Sequence, residues 1–336
     1  MTIDTTSCRL RRTARLCRWL PLAASARVAR WLYPDSVARA ENAAFETRSS
    51  LGHALLAFGQ FDCIATTFAA CGCFDWQNVA IAKTLCGAGD TIVEIGANLG
   101  TETLLYALIV GTAGRVTAFE PLPANEAALR RNVQRNALRQ VEIRSEAVAA
   151  QHGTARFQPP ADRTNTGTGT LIGTRATSGK TMEVNTVSLD ELYAAGRLRE
   201  PRLVVIDAEG AESDVLAGSQ ELLRAVRPHL ILEVAQPCLE RRGLTAQDIF
   251  TQLADLGYSS WAIHRWSIRP PDLRARQSNW VCIPASANVR ATLRRLRRAV
   301  WFAGWLPPIR GLNPAVVGRG HPTAPRPRVG APANAL

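Results

Sequence analysis

The chain has 336 residues, of which 46% are hydrophobic, and it carries a formal net charge of +12. This length is enough for one large α/β domain with extensions or for two smaller domains. The sequence contains no run of about 18 or more apolar residues, so we expect no membrane-spanning helix. The apolar piece WLPLAAS near the start is flanked by arginines and is too short for a secretory signal, which predicts a cytoplasmic protein.

The positive charge is concentrated at the two ends of the chain. Residues 1–48 contain nine Arg and four acidic residues, and residues 286–336 contain nine Arg and no acidic residue. The middle of the chain is therefore nearly neutral. Because this middle part also lacks a recognised nucleic-acid-binding motif, we expect no nucleic acid partner.

Between residues 91 and 284 the hydrophobic pattern alternates between strand and helix. Apolar runs predict strands at 91–97, 114–121, 140–148, 202–210, 229–235, 258–264 and 279–284. Apolar residues at helical spacing predict helices at 99–110, 123–138, 188–196, 211–226 and 245–257. Strands that alternate with helices over such a length indicate a doubly wound, mostly parallel sheet.

These patterns divide the chain into four predicted regions. They are a helical, basic N-terminal extension (1–74), an α/β domain (75–285), a basic amphipathic helix (286–306) and a disordered Pro/Gly/Ala-rich tail (307–336). Inside the domain, residues 161–181 read ADRTNTGTGTLIGTRATSGKT, which is rich in Thr and Gly and has no period. We predict that this segment is a mobile loop that covers the substrate as a lid.

The stretch TIVEIGANLG, residues 91–100, is a strand that ends in an acid and runs into two glycines. Gly96 and Gly100 allow the backbone to turn sharply and to approach a ligand closely. The helix that follows offers free N–H groups and the positive end of its dipole. A dinucleotide site normally reads G-x-G-x-x-G, whereas this turn reads E-x-G-x-N-x-G and places Glu94 and Asn98 around the first glycine.

The acids near this turn indicate the class of cofactor. A carboxylate at Glu94 would repel a pyrophosphate but could accept a hydrogen bond from an ammonium group. This favours a zwitterionic ligand such as S-adenosylmethionine (SAM). Glu120, at the end of the second strand, could accept both ribose hydroxyls, in NAD as in SAM. An alternative interpretation is that the glycines only form a tight turn.

Several blocks of the sequence resemble the FkbM family of methyltransferases. The blocks are GDTIVEIGANLGTETLLYA, GRVTAFEPLPANEAALRRNVQRNAL, VEIRSEAVAAQHGTARF, VNTVSLDELY, VVIDAEGAESDVLAGSQELL, PHLILEV and NWVCIP, in family order. The resemblance covers roughly residues 75–285, and its most specific part is the D-A-E-G-A-E block. One departure is Val205, which stands where many members carry a lysine.

The resemblance implies a class I methyltransferase (Rossmann-like) fold. Its doubly wound, mostly parallel sheet would have seven strands, with the last strand, 280–284, antiparallel. By motif match, the methionine end of SAM would be held by Glu94, Gly96, Asn98 and Gly100, with Thr101 beside them, the ribose by Glu120 and the adenine by the turn at Ala147.

The acidic block VVIDAEGAESDVL contains the candidate catalytic residues. Asp207 ends a strand beside the first turn, where a carboxylate could remove the proton of an attacking hydroxyl. Glu209 is the second candidate. Both acids could instead cap the following helix, because negative side chains suit a helix N-terminus.

A metal ion is not expected. The eight cysteines form no C-x-x-C pair, and no histidine lies at zinc-ligand spacing. Glu212 and Glu233 could hold Mg²⁺ together with Asp207, since carboxylates without histidine suit that ion. We nevertheless predict no divalent cofactor.

Residues 288–305 predict an amphipathic helix with basic flanks. Leu293 and Leu296 lie on its apolar stripe, and Trp301 and Trp305 lie at its end. Such a helix could lie on an anionic membrane surface at the inner face of the membrane, with these four side chains inserted. It could equally pack its stripe on the catalytic domain.

Together these features predict a SAM-dependent methyltransferase that acts on a hydroxyl of a sugar, glycan or other natural product. An NAD-dependent oxidoreductase and a noncatalytic SAM-binding module are the alternatives. Neither the identity of the acceptor nor the oligomeric state can be inferred from the sequence.

Overall fold

A computed structural model of the chain describes residues 8–41, 45–52, 55–58, 62–161, 165–172 and 180–318. Within these residues the strands are β1 (Phe45–Arg48), β2 (Leu55–Phe58), β3 (Thr91–Ile95), β4 (Arg115–Phe119), β5 (Val141–Arg144), β6 (Ala147–Val148), β7 (Gly153–Gln158), β8 (Thr170–Leu171), β9 (Met182–Val187), β10 (Leu203–Ile206), β11 (His229–Ala235), β12 (Tyr258–Ile263), β13 (Ile268–Arg269) and β14 (Gln277–Pro284).

The same residues form α1 (Cys8–Cys17), α2 (Leu22–Leu32), α3 (Asp35–Glu41), α4 (Cys63–Cys71), α5 (Trp76–Leu85), α6 (Thr103–Val110), α7 (Pro123–Arg135), α8 (Leu189–Ala194), α9 (Glu212–Ala217), α10 (Gln220–Val226), α11 (Gln236–Glu240), α12 (Ala246–Asp255) and α13 (Val289–Trp305). One turn of 3-10 helix covers Thr166–Thr168.

The main sheet of the described residues has eight strands in the spatial order β13-β12-β14-β11-β10-β3-β4-β5. Strands β5, β4, β3, β10 and β11 are parallel, and β14 is antiparallel to both of its neighbours. The chain builds outward from β3 to β5 and then returns to β10 on the other side of β3. Open α/β sheets bind ligands at such a switch point, beyond the carboxyl ends of the strands. The predicted doubly wound, mostly parallel fold with an antiparallel last strand is confirmed.

The number of strands differs from the prediction of seven. The short strand β13 pairs with β12 through Ala262↔Arg269 and Ile263↔Ile268, which adds an eighth strand at the edge. The predicted strand 140–148 also divides, because β5 stays in the main sheet while β6 joins a four-stranded sheet of order β6-β9-β7-β8. This smaller sheet has no strong apolar signal, since residues along β7 are mostly exposed or half-buried.

The centre of the main sheet explains the unbroken apolar run at β3. All five residues of this strand are buried, because helices cover both faces of the sheet. Ile92 packs in the core on one face, and Val93 packs in the core on the other. Burial of such a side chain stabilises the fold by about 1.5–3 kcal/mol.

The N-terminal region contains strands as well as helices. Helices α1 and α2 pack on α4, and β1 pairs with β2 in antiparallel fashion. Helix α4 begins after Asp62, whose carboxylate accepts a hydrogen bond from the backbone N–H of Ala65 at 2.9 Å. The predicted helical extension therefore has an additional two-stranded element.

The C-terminal region packs on the domain further than predicted. The disordered tail cannot begin at residue 307, because Ala315, Val316 and Val317 are buried and the ammonium group of Lys83 donates to the carbonyl of Val316. Residues 319–336, the rest of the predicted tail, lie outside the described residues. None of the helices in the described part of the chain is long and apolar enough to cross a membrane.

Helix α13 decides between the two placements that were predicted for its apolar stripe. Leu293 and Leu296 are 6% and 0% exposed, because this side of the helix packs against α5. These two side chains therefore belong to the core and cannot insert into lipid.

Candidate active site

A cavity of ≈ 230 Å³ lies at the carboxyl ends of β3, β4 and β10, where the strand order reverses. Its acidic lining residues are Glu102, Glu120, Glu146, Asp207, Glu209 and Glu233. Asn98, Thr101, Asn125, Asn165, Thr166 and Gln277 supply further polar groups. Among the described residues that line the cavity there is no Lys, Arg or His.

The turn after β3 has a backbone that requires glycine. Gly96 has a φ of +84°, and a Cβ atom added there would lie 2.0 Å from the carbonyl oxygen of Asp207. Gly100 has a φ of +89°, and its Cβ would lie 2.6 Å from Leu129 Cδ1. The first glycine thus lets the ends of β3 and β10 approach each other, and the second lets α7 pack on the turn. Gly96 lines the cavity, whereas Gly100 lies behind it.

Glu120 links this turn to the end of β4. Its Oε2 accepts from the backbone N–H of Asn98 at 2.8 Å, and its Oε1 accepts from that of Leu122 at 2.9 Å. Burial raises the pKa of Glu120 to about 7, while these hydrogen bonds act in the opposite direction. The carboxylate lines the cavity, where the sequence predicted it.

Glu94 takes a different position from the one predicted. It lies in the middle of the sheet, is 4% exposed and is not among the residues that line the cavity. Its Oε2 accepts from the hydroxyl of Thr103 at 2.6 Å. Burial raises the pKa of Glu94 well above its usual range. Its side chain therefore supports the turn from behind, as a residue of the strand interior.

Glu102 is an acid of the cavity lining that was not among the predicted site residues. It lines the cavity, accepts from the hydroxyl of Thr101 and accepts from the backbone N–H of Asp75 at 3.1 Å. Burial, together with the charges of Glu102 and Glu233, raises the pKa of Asp75 to about 7. Neither acid stands out in the sequence, because an acid at the start of a helix is ordinary and nothing local connects Asp75 to the cavity.

The acidic block opens into the cavity beside the turn. Asp207, Glu209 and Glu233 each place a carboxylate oxygen within 4.8 Å of the others. Asp207 is solvent-exposed within the cavity; desolvation by the surrounding cavity wall and the nearby charges of Glu233 and Glu209 raise its pKa. Burial and Glu233 raise the pKa of Glu209 to about 7. Such a group can accept a proton near neutral pH.

The structure argues against the capping role of the acidic block. Helix α9 begins after Ala211, and no side-chain capping bond is made there. Glu209 has a φ of +49°, which is uncommon for a residue other than glycine. Glu212 points away from the cavity lining and accepts from the backbone N–H of Gly210 at 3.0 Å. It supports the loop structurally.

Carboxylates at the spacing of Asp207, Glu209 and Glu233 are also ligands that Mg²⁺ accepts. The expectation that no divalent metal is needed remains a prediction, since nothing in this geometry tests it.

The described part of the predicted lid contacts both halves of the site. Thr166 donates its backbone N–H to Asp62 Oδ2 at 2.9 Å, and its hydroxyl lies 2.8 Å from the same oxygen and 3.1 Å from Asn98 Oδ1. The Asn125 amide donates to the carbonyl of Thr166, and Thr170 donates to the carbonyl of Glu209. Residues 173–179 of the predicted lid lie outside the described residues.

Ala147 lines the cavity next to Glu146 and Val148, at the adenine position implied by the resemblance. Of the nine predicted site residues, the cavity lining brings together Gly96, Asn98, Thr101, Glu120, Ala147, Asp207 and Glu209. Glu94 and Gly100 lie behind it.

A family model described as the methyltransferase FkbM domain matches residues 94–260. The chain is 31% identical over 146 residues to the hexuronic acid methyltransferase AglP of Haloferax volcanii; this covers 43% of the chain and 56% of that relative. The chain thus matches little more than half the length of this relative.

Solved structures with a similar arrangement include a methyltransferase FkbM from Methylobacillus flagellatus, at 12% identity and a TM-score of 0.38, covering 82% of this chain and 58% of that one. An O-methyltransferase from Bacillus cereus in complex with SAH has 16% identity and a TM-score of 0.37, covering 62% of this chain and 78% of that one. On the family match and the residues of the turn and the acidic block, residues 94–260 of this chain are a methyltransferase FkbM domain.

Proposed function

We propose that the protein is a SAM-dependent O-methyltransferase. The observation that carries this proposal is the charge of the cavity, which has six carboxylates and no basic side chain among its described lining residues. SAM carries a sulfonium and an ammonium group, and both are attracted by such a lining. The pyrophosphate of NAD would be repelled by it, so an NAD-dependent oxidoreductase is disfavoured.

The residues of the cavity fit the parts of SAM. Glu120 is placed to accept the ribose hydroxyls, since each of its oxygens is oriented by one backbone N–H and retains further acceptor capacity. Glu102, Asn98 and Thr101 would receive the methionine end near the N-terminus of α6, whose positive dipole end suits a carboxylate. The wall at Ala147 would receive the adenine.

When bound, SAM supplies an electrophilic methyl group. Asp207 would accept the proton of the acceptor hydroxyl, because it opens into the cavity beside Glu209 and Glu233. Glu209 and Glu233 would orient that hydroxyl and share the proton. Gln277 donates to Glu233 Oε1 at 2.7 Å and would hold this carboxylate in place.

The acceptor class is the finer part of the proposal. A hydroxyl of a sugar, glycan or natural product suits a cavity lined by carboxylates and amides, and the relative AglP is named a hexuronic acid methyltransferase. Cys63, Ile64 and Phe74 also line the cavity. We therefore propose that the N-terminal extension forms one wall of the acceptor site, and that residues 165–171 form its lid.

Incubation of the purified chain with cell extract and methyl-labelled SAM, followed by mass spectrometry, tests this function. We expect a labelled neutral or glycan product that disappears with Asp207→Asn. SAM binding without transfer to any component would support the noncatalytic SAM-binding module instead.

We also propose peripheral contact with a membrane surface. The inward packing of α13 confines this contact to the outward face of the helix.

A further inference from the structure

Helix α13 has two faces of opposite character. Its inward face is buried and packs on the domain, and this face includes Leu296 and Val300. Its outward face carries Arg294, Arg298, Trp301 and Trp305, at successive spacings of four, three and four. Residues at these spacings lie on one side of a helix. All four are exposed.

The end of the outward face is an aromatic cluster formed by Trp266, Trp301, Phe302 and Trp305. Trp305 lies 4.7 Å from Trp266 and 6.2 Å from Trp301 between ring centroids, and Trp301 lies 4.9 Å from Phe302. Trp301, Phe302 and Trp305 are 47%, 40% and 53% exposed. Contiguous exposed aromatic side chains on a soluble domain mark an interaction site.

Arginines surround this cluster without acidic partners. Arg265 precedes Trp266 in the chain, and its pKa is lowered by partial burial and by the nearby charges of Arg27 and Arg30. Among the described residues, none of these three arginines forms an ion pair, and neither does Arg294 or Arg298.

The charge of the neighbouring elements does not neutralise these arginines. Helix α2, which carries Arg27 and Arg30, packs against α13 and contains no acid. Residues 286–318 contain no acid either. The patch therefore combines uncompensated positive charge with exposed aromatic rings.

We propose that this arginine and aromatic patch binds the surface of an anionic lipid bilayer. Tryptophan partitions into the interfacial region of a bilayer, because its ring is apolar and its N–H is polar. Arginines beside it would be attracted by anionic headgroups. This binding rests on the proposed membrane contact and does not depend on methyl transfer. A chain that binds vesicles without transferring methyl groups, or that transfers them without binding vesicles, distinguishes failure of one proposal from failure of the other.

Vesicle flotation of the full chain tests the patch. The vesicles contain phosphatidylcholine alone or phosphatidylcholine with phosphatidylglycerol, at low salt and at about 1 M salt, where the Debye length falls to about 3 Å. We expect flotation with the anionic vesicles at low salt, a weaker signal at high salt and little binding to the neutral vesicles.

Two double variants separate the contribution of the arginines from that of the aromatic rings. Arg294→Glu with Arg298→Glu should lower the partition coefficient on anionic vesicles by at least about 25-fold, since each arginine near the surface contributes roughly fivefold. Trp301→Ser with Phe302→Ser should remove the binding that persists at high salt. Arg131→Glu with Arg224→Glu, which changes exposed arginines on α7 and α10, should leave flotation unchanged.

The altered side chains are exposed, so the thermal unfolding midpoint of each variant should match that of the wild type. Quenching of tryptophan fluorescence by brominated phosphatidylglycerol tests insertion in the wild type without any substitution. Absence of flotation and of quenching on anionic vesicles overturns the proposal. An equal loss of flotation in the control variant also overturns it. So does light scattering that shows a dimer, if Trp301→Ser with Phe302→Ser converts this dimer to a monomer and leaves flotation unchanged.

Discussion

Gly96 lies at the point where the turn after β3 meets the end of β10, so close to the backbone of Asp207 that a side chain has no room there. Its φ is +84°, and a Cβ atom there would lie 2.0 Å from the carbonyl oxygen of Asp207. Asp207 is in turn tied to β3, because its backbone N–H donates to the carbonyl of Ile95 at 3.0 Å. Gly96→Ala must therefore strain the turn and separate the two strand ends.

The free energy of unfolding that Gly96→Ala loses has two parts, and a matched variant can separate them. A left-handed backbone costs a residue with a Cβ atom about 1–2 kcal/mol, and overpacking against a fixed backbone costs about 1–3 kcal/mol more. Gly89 has nearly the same conformation, with a φ of +87°, but a Cβ atom there would have nothing within 4 Å. Gly89→Ala should therefore lower the free energy of unfolding by the first amount alone.

Urea unfolding of both variants and the wild type measures the difference. We expect Gly96→Ala to lose roughly 2–5 kcal/mol in total and to bind SAM more weakly, because Asp207 and the turn move apart. Equal losses in the two alanine variants would refute the reasoning, since the contact with Asp207 would then have no energetic effect.

Four further predictions concern the cavity. Glu120→Gln should weaken SAM binding by about 10- to 100-fold in calorimetry, since it removes a charged hydrogen-bond partner. Glu94→Gln should change SAM binding little. A larger loss of SAM affinity in Glu94→Gln than in Glu120→Gln would contradict the assigned positions. Asp207→Asn should retain SAM binding and lower the rate of methyl transfer by about 10²–10⁴-fold. Glu212→Gln, which lies outside the cavity lining, should retain both binding and transfer. Normal turnover by Asp207→Asn would exclude Asp207 as the base. Thr166→Val should raise the acceptor KM several-fold and leave SAM affinity nearly intact. Thr168→Val, which changes an exposed neighbour, serves as its control. Equal loss of affinity for the acceptor and for SAM would make residues 165–171 a structural support. The pKa values of Glu120, Glu209 and Glu212 are raised to about 7, so the chain is most stable below the pKa values that these acids have in the unfolded chain, and this stability is lost as pH rises through about 7. The unfolding midpoint of the ligand-free chain should therefore decrease as the pH is raised from 5 to 8, and it should decrease less when SAM is bound. A midpoint that increases over this range would contradict the prediction.

The sequence predicted the parts of the site that depend on local pattern. The glycine turn, the acid after β4 and the acidic block each lie at the end of a strand, and the carboxyl ends of parallel strands meet at one edge of the sheet. The sequence did not show that Glu94 lies behind the cavity lining, because every residue of β3 is buried and the pattern contained no information about which side chain reaches the cavity.

Other parts depend on contacts between distant segments. Asp62 meets Thr166, and Asp75 meets Glu102 and Asn279. None of these pairs lies within one element, so no periodicity identifies them. The smaller sheet was missed for a related reason, since β6 and β8 have only two residues each, β7 is mostly exposed or half-buried, and the pairing of these strands is set by the fold around them.

Isothermal titration calorimetry of the wild-type chain with SAM, SAH and NAD tests most directly whether the anionic cavity is a SAM site. We expect SAM and SAH to bind with one site per chain, with SAM affinity rising with pH through about 7 as the cavity acids ionise. NAD should give no binding heat. Binding of NAD together with no binding of SAM would contradict the assignment of this cavity.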